Sequence, residues 1–172
     1  MKVRFNAVVL MVLTLAVGAA HAHGMEGKAA DEVMVEDAYA RAVAPMQKNS
    51  AVFMKLMNHG KMEHAVVRAT GDVAASVELH THTNDGGVMR MRPIDKITVP
   101  AGGHTLLQPG GLHVMLIGLK QGLEEGGMVH ITLEFEDGST KMVMAPVKQV
   151  MPMNHNNGGQ NMHEMKEHKH NM

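Results

Sequence analysis

Residues 77–119 read VELHTHTNDGGVMRMRPIDKITVPAGGHTLLQPGGLHVMLIGL, and this stretch carries the strongest signals for the fold. Short apolar runs alternate here with turn-forming clusters, namely the segments 84–87, 100–103 and 109–111. Asn, Asp and Gly accept the left-handed backbone of tight turns, and proline ends strands. The stretch therefore predicts a β-hairpin that returns over 88–92, a short fragment at 97–99 and a strand at 112–116.

The same pattern continues on both sides of this stretch. It begins at Val33, and it predicts further strands at 50–58, 64–70, 74–79, 129–135 and 141–145, the last one interrupted by Pro146. Turns at intervals of about eight to twelve residues are typical of a β-sandwich rather than a βαβ fold. The chain is therefore predicted to be all-β, with Met and branched aliphatic residues filling a core that has few aromatic side chains.

Two histidines and two methionines stand out within the quoted stretch: His80, Met91, His113 and Met115. His113 and Met115 are two positions apart on one strand, so both point to one face with Cα atoms roughly 6.6 Å apart. Thioethers are soft, neutral donors that suit copper(I), and two imidazoles add stronger donors without adding charge. A blue-copper centre needs a cysteine, and the chain has none. The prediction is one copper(I) ion held by these four side chains.

Two further residues are predicted as auxiliary donors, His82 and Met89. The ordinary explanation for a methionine on a strand is core packing, and for Met89 core packing or an auxiliary role is favoured over ligation. The chain contains 13 His and 19 Met. One preset four-residue spacing would therefore arise by accident in about one sequence in a hundred of this composition.

The spacing of the four donors resembles the signature of the periplasmic PCuAC copper chaperone family. The surrounding segments VELH, VMRMRP, VPAGG and PGGLHVMLIGL agree with it, and the resemblance spans 33–150. It implies a cupredoxin-like (immunoglobulin-like) β-sandwich that carries copper(I). It also implies delivery toward the copper centre of cytochrome c oxidase, through an oxidase subunit or its assembly factor. One departure is His82, which stands where many members carry a methionine.

The N-terminal residues 1–22 are predicted to be a secretory signal. Lys2 and Arg4 precede an apolar run, and Ala20-His21-Ala22 offers a small-residue cleavage site. The run is shorter than the roughly 20 residues that a membrane span needs. We therefore expect export to the periplasm without stable membrane insertion, a linker at 23–32 and one copper-binding domain at 33–150.

The C-terminal residues 151–172 read MPMNHNNGGQNMHEMKEHKHNM and differ in composition from the rest of the chain. Almost nothing in this tail could pack a core, so it is predicted to be disordered without metal. Short His-rich tracts suggest metal binding. A second site of lower specificity, for copper(II), is therefore predicted at the tail histidines. They are His155, His163, His168 and His170. The alternative is a solvated tail with incidental affinity.

The net charge and a search for catalytic motifs narrow the classes of function that the sequence allows. A net charge of −1 without a basic stripe argues against nucleic acid or an anionic membrane surface as a partner. No phosphate loop, serine-nucleophile motif or carboxylate pair is evident, so no enzyme is predicted. The leading hypothesis is a copper(I) chaperone with a copper-accepting partner protein. The alternative is a periplasmic copper-sequestering resistance protein, and a redox enzyme using copper at the N-terminus or tail is a weaker third.

Overall fold

The protein is described by a computed structural model that covers residues 27–149. Within this range the chain forms ten strands and one short helix. The elements are α1 (Ala29–Glu32), β1 (Val33–Arg41), β2 (Asn49–Asn58), β3 (His64–Thr70), β4 (Ala74–Asp85), β5 (Val88–Pro93), β6 (Ile97–Val99), β7 (His104–Leu107), β8 (His113–Leu119), β9 (Met128–Phe135) and β10 (Thr140–Lys148).

The strands form a β-sandwich, which confirms the predicted fold class. Their hydrogen-bonded order is β5-β4-β8-β2-β1-β10-β9-β3-β6, and β7 pairs with β2 beside β8. All of these pairs are antiparallel except β1 with β10, where Ala40 lies opposite Val147. We call β5-β4-β8-β2-β1 with β7 the first sheet, and β10-β9-β3-β6 the second sheet.

The core lies between the two sheets and follows from the alternation of the strands. In β9, every second residue from Val129 to Phe135 is 1% exposed, while the residues between them face outward. Successive side chains of a strand point to opposite faces, so this pattern places one face of the second sheet in the core. Each fully buried aliphatic or aromatic side chain contributes about 1.5–3 kcal/mol to folding.

The helix α1 falls within the segment 23–32 that was predicted to be a linker. The structure instead packs Ala29 and Ala30 into the core, at 0% and 9% exposure. The Ala29 amide donates to the Asp137 carboxylate (2.8 Å), and the Ala30 amide donates to the Ser139 hydroxyl (2.9 Å). The domain therefore includes residues 29–32, which the sequence pattern was too short to reveal. Among the described residues, no helix is long and apolar enough to cross a membrane.

Four strands differ from the prediction, and one of them, β8, runs from His113 to Leu119 instead of 112–116. β4 runs to Asp85 rather than ending near His80, because only Gly86 and Gly87 form the loop, with φ of +62° and +91°. Two left-handed residues are what a type I′ hairpin requires. β7 was not predicted, since its four residues lie between glycine- and proline-rich turns. β10 continues past Pro146, which lies opposite Met128 in the last pair of the β9 ladder, where a missing amide is tolerated.

Candidate metal centre

His80 and His113 lie directly opposite each other on the neighbouring strands β4 and β8. Their ring centroids are 5.7 Å apart, and the two residues are only 8% and 1% exposed. Histidine is seldom this deeply buried without a partner for its polar atoms. Two buried imidazoles side by side therefore require a chemical explanation.

The hydrogen bonds of the two rings leave one nitrogen of each unpaired. His113 Nδ1 donates to the Gly111 carbonyl (3.0 Å), and His80 Nε2 donates to the Glu78 carboxylate (2.9 Å). His80 Nδ1 and His113 Nε2 are buried and have no hydrogen-bond partner within residues 27–149. A buried polar atom without a partner costs about 1–3 kcal/mol. Both free nitrogens carry a lone pair in these tautomers, which is the arrangement of metal-binding histidines oriented by a second hydrogen bond.

The electrostatics favour neutral ligands at this site. Burial lowers the pKa of His113, although the hydrogen bond to Gly111 opposes the shift, and nearby His82, His80 and Arg41 lower it further. His113 is therefore neutral at neutral pH, as a metal ligand must be. The hydrogen bond from His80 lowers the pKa of Glu78, so that this carboxylate is ionised and holds the imidazole in place.

The two predicted methionine ligands lie on the same outer face of the first sheet. Met115 is half-buried on β8, two residues beyond His113, and Met91 is 45% exposed on β5, opposite His82. Because β4 lies between β5 and β8, His80 sits between Met91 and His113. Met91 is a diagonal neighbour of His80, about 7–8 Å away between Cα atoms, which a long methionine side chain can span. The structure thus places all four predicted residues on one face of the first sheet, with Met91 and Met115 on opposite sides of the histidine pair.

The two residues predicted as auxiliary donors, His82 and Met89, differ in their distance from the histidine pair. The ring of His82 lies 5.2 Å from that of His113, and its Nδ1 is 3.3 Å from the Gly111 carbonyl oxygen, so His82 belongs to the cluster. Met89 lies opposite Asn84, one step farther from the histidines, and is 54% exposed. It is therefore not packed in the core. Across residues 27–149, no three His, Asp or Glu side chains are arranged to hold a metal ion without other donors.

An aromatic wall closes the site on the side of β2. Phe53 is 2% exposed and its ring lies 6.2 Å from that of His113, with Tyr39 5.2 Å behind it. A bulge between residues 36 and 39 of β1, where Asp37 has φ +51°, sets Tyr39 opposite Phe53. The Arg41 guanidinium lies 5.4 Å from the centre of the Phe53 ring. Apolar walls of this kind shield a metal from solvent.

Three residues that contact the histidine pair were not predicted from the sequence: Glu78, Phe53 and Gly111. Glu78 left a signal, since it is two residues before His80 and must share its face of β4. Gly111 was seen only as a turn residue. Phe53 reaches His113 through the pairing of β2 with β8, which depends on a register that local sequence does not reveal. The predicted tail donors, which are His155, His163, His168 and His170, lie outside the described residues, as does the predicted signal 1–22.

The β-sandwich, with paired histidines and two methionines on the outside of one sheet, has the fold of a PCuAC domain. The fold matches the apo PCuAC domain from PmoF1 with a TM-score of 0.59 at 24% identity, covering 69% of this chain and 95% of that one. It also matches the solution structure of apo-DR1885 from Deinococcus radiodurans with a TM-score of 0.56 at 35% identity, over 88% of this chain and 98% of that one. The copper(I) form, CuI-DR1885, is 39% identical with a TM-score of 0.54, over 67% of this chain and 78% of that one.

The chain belongs to the LpqE-like family, described as putative lipoprotein LpqE-like, whose model matches residues 33–147. A relative from Leifsonia xyli subsp. xyli, the putative lipoprotein Lxx21020, is 40% identical over 134 residues. That match covers 77% of this chain and 80% of the relative. The family match spans every strand that builds the site.

Proposed function

We propose that this protein binds one copper(I) ion at His80, Met91, His113 and Met115 and passes it to an acceptor protein. The observation that carries the proposal is the pair of buried ring nitrogens, His80 Nδ1 and His113 Nε2, which have no partner among the described residues. The fold keeps both lone pairs free at a free-energy cost, and a bound metal ion removes that cost.

The donor set selects copper(I) over other ions. Two thioethers and two neutral imidazoles contribute no negative charge, so they bind Ca²⁺ and Mg²⁺ poorly and suit a soft monovalent ion. The nearby Arg41 adds a positive charge that disfavours a divalent ion further. The copper(I) form of the Deinococcus protein, at 39% identity, supports this choice of metal.

The unequal exposure of the ligands supports transfer rather than permanent storage. His113 is 1% exposed, whereas Met91 is 45% exposed on the edge strand β5. An acceptor side chain can displace Met91 first, while the buried histidines still hold the ion. Ligand exchange of this kind moves copper(I) without releasing it to water, and it requires no enzymatic turnover.

The proposal also covers the cellular compartment and the acceptor protein. We propose that the predicted signal 1–22 exports the protein to the periplasm, which the name of its putative lipoprotein relative supports. The acceptor is a copper-binding protein of cytochrome c oxidase, either a subunit or an assembly factor, as the resemblance to PCuAC chaperones implies.

Anaerobic titration with copper(I) against a chromogenic chelator tests the site. We expect one tight equivalent, and we expect Met115→Ala and His113→Ala to weaken it by at least tenfold. The matched control is Met46→Ala, because Met46 is 89% exposed and lies outside the site. Full affinity in both Met91→Ala and Met115→Ala would overturn the four-ligand model. Transfer to an apo oxidase subunit, followed by its copper absorption, tests delivery.

The composition of the tail favours sequestration as a second candidate function. Residues 151–172 contain four histidines and five methionines. We propose that His155, His163, His168 and His170 bind copper(II), at lower specificity. Deletion of 151–172 should remove copper(II) binding and leave the tight copper(I) equivalent intact. Loss of the copper(I) equivalent with the tail would favour sequestration, and an unchanged copper(II) stoichiometry would refute the tail site.

A further inference from the structure

Three methionines on the second sheet are exposed to solvent although they stand on regular strands. Met128, Met142 and Met144 are 55%, 72% and 64% exposed. Their neighbours in sequence, Val129 and Val143, are buried in the core at 1% and 3%. These methionines therefore contribute nothing to the core, and an exposed apolar group of this size calls for another role.

The strand register gathers these methionines around an exposed histidine. Met144 on β10 lies directly opposite His130 on β9, which places their Cβ atoms about 4.5–5.5 Å apart. Met142 lies opposite Thr132, and Met128 lies opposite Pro146. Met142 is therefore a diagonal neighbour of His130, and Met128 is its neighbour two positions along the strand, roughly 6.6 Å away. All four point outward from the same face.

The chemistry of this group matches that of the first site. It contains three thioethers and one imidazole, all neutral and soft or borderline, and no carboxylate. The bases of the three methionines lie about 5–8 Å from that of His130. Methionine has three rotatable bonds, so that their sulfur atoms can turn toward an ion bound at the imidazole. We propose that Met128, His130, Met142 and Met144, which we call the β9–β10 cluster, form a second copper(I) site on the folded domain.

The second site is independent of the first. The four proposed ligands of the first site lie on the outer face of the first sheet, and the β9–β10 cluster lies on the outer face of the second sheet. The core separates the two faces, and packed sheets are about 10 Å apart. No side chain can serve both sites, so each can be removed without touching the other. Because its ligands are exposed, the β9–β10 cluster should bind at least tenfold more weakly than the first site.

The test uses the full chain with methionine labelled at the ¹³C-methyl group, and silver(I) as a redox-stable probe for copper(I). We expect the first equivalent to shift the methyl signal of Met115 and the second to shift those of Met142 and Met144. In the double variant Met142→Leu/Met144→Leu, copper(I) titration should lose one weak equivalent and keep the tight one. The control Met46→Leu/Met62→Leu removes two exposed methionines elsewhere and should change neither.

Each outcome bears on one site only. If the methyl signals of Met142 and Met144 do not move while that of Met115 does, the β9–β10 cluster is refuted and the first site stands. The proposal is also refuted if the double variant, with an amide spectrum that shows a native fold, keeps every copper(I) equivalent. Loss of the Met115 response alone would instead refute the first site.

Discussion

Glu78 should set the copper(I) affinity without touching the metal. Its carboxylate accepts a hydrogen bond from His80 Nε2 at 2.9 Å and another from the Ser76 hydroxyl at 3.0 Å. The first bond fixes the proton of His80 on Nε2, so that Nδ1 keeps its lone pair for the ion. In Glu78→Ala the His80 ring can rotate and can exchange tautomers. A smaller fraction of the protein then keeps Nδ1 free and oriented to bind copper(I).

The expected magnitude follows from comparable partners of metal-binding histidines. Removing such a partner typically lowers metal affinity by about 10- to 100-fold, which corresponds to about 1.4–2.7 kcal/mol. The folding stability of the protein should change little in this variant. The Glu78 side chain is 40% exposed, and water can replace it, so we expect less than about 1 kcal/mol of lost stability. Glu78→Gln keeps an acceptor without the charge and should show an intermediate loss of affinity.

The assay is anaerobic competition for copper(I) against a chelator at pH 7, where Glu78 is ionised because the hydrogen bond from His80 lowers its pKa. Glu36→Ala is the matched control, since Glu36 is also 40% exposed on this sheet but pairs with Lys55 instead. We expect the control to bind as the wild type does. A Glu78→Ala protein that is folded and binds copper(I) within about twofold of the wild type would show that Glu78 does not set the affinity of the site.

Three further predictions concern the fold. Burial alone would lower the pKa of His64, but its hydrogen bonds to Glu32 (2.9 Å) and Glu136 (2.7 Å) outweigh burial and raise it. The stability from this imidazolium is therefore full below the unfolded pKa of about 6.5 and is lost as pH rises through the folded pKa. In urea unfolding, His64→Gln should cost about 2 kcal/mol at pH 6 and less at pH 9, and an equal cost at both would contradict the ion pairs. Phe135→Ala, at a core position 1% exposed, should lower the free energy of unfolding by roughly 3–5 kcal/mol, whereas a loss below about 1 kcal/mol would mean that the site repacks. Gly87→Val forces a branched residue to φ +91° and should cost about 1–3 kcal/mol, with shifted β5 amide signals, and an unchanged hairpin spectrum would contradict it.

The strands could be predicted because their signals are local. Alternation in β9 and the turn residues at 84–87 depend only on neighbouring positions, so the all-β class followed from them. The helix α1 was not predicted because its stability comes from elsewhere: Asp137 and Ser139 accept its first two amide protons, more than a hundred residues away in sequence. Four residues carry too little periodicity to show a helix by themselves.

The candidate ligands could be predicted from the sequence, but the hydrogen bonds that orient the two histidines could not. The donor types and their spacing predicted His80 and His113 as candidate ligands, whereas the direct pairing of these residues depends on the β4–β8 register. The same register decides which nitrogens stay unpaired. Hydrogen bonds to Glu78 and Gly111 fix the two tautomers, and such bonds appear only once the strands are assembled.

The arrangement of the first sheet constrains how an acceptor can approach. Within the described residues β5 is the edge strand of this sheet, and every residue of β5 is exposed. On the other side of the site, Phe53 and Tyr39 close the approach from β2. In the proposed transfer, an acceptor that arrives over β5 meets Met91, which is 45% exposed, before it meets the buried histidines. Arg92, which lies on the opposite face of β5, pairs with Asp85 at 2.6 Å and links β5 to β4 without involving Met91. In the proposed transfer, the strand that carries Met91 thus stays in register, and the histidines release the ion last.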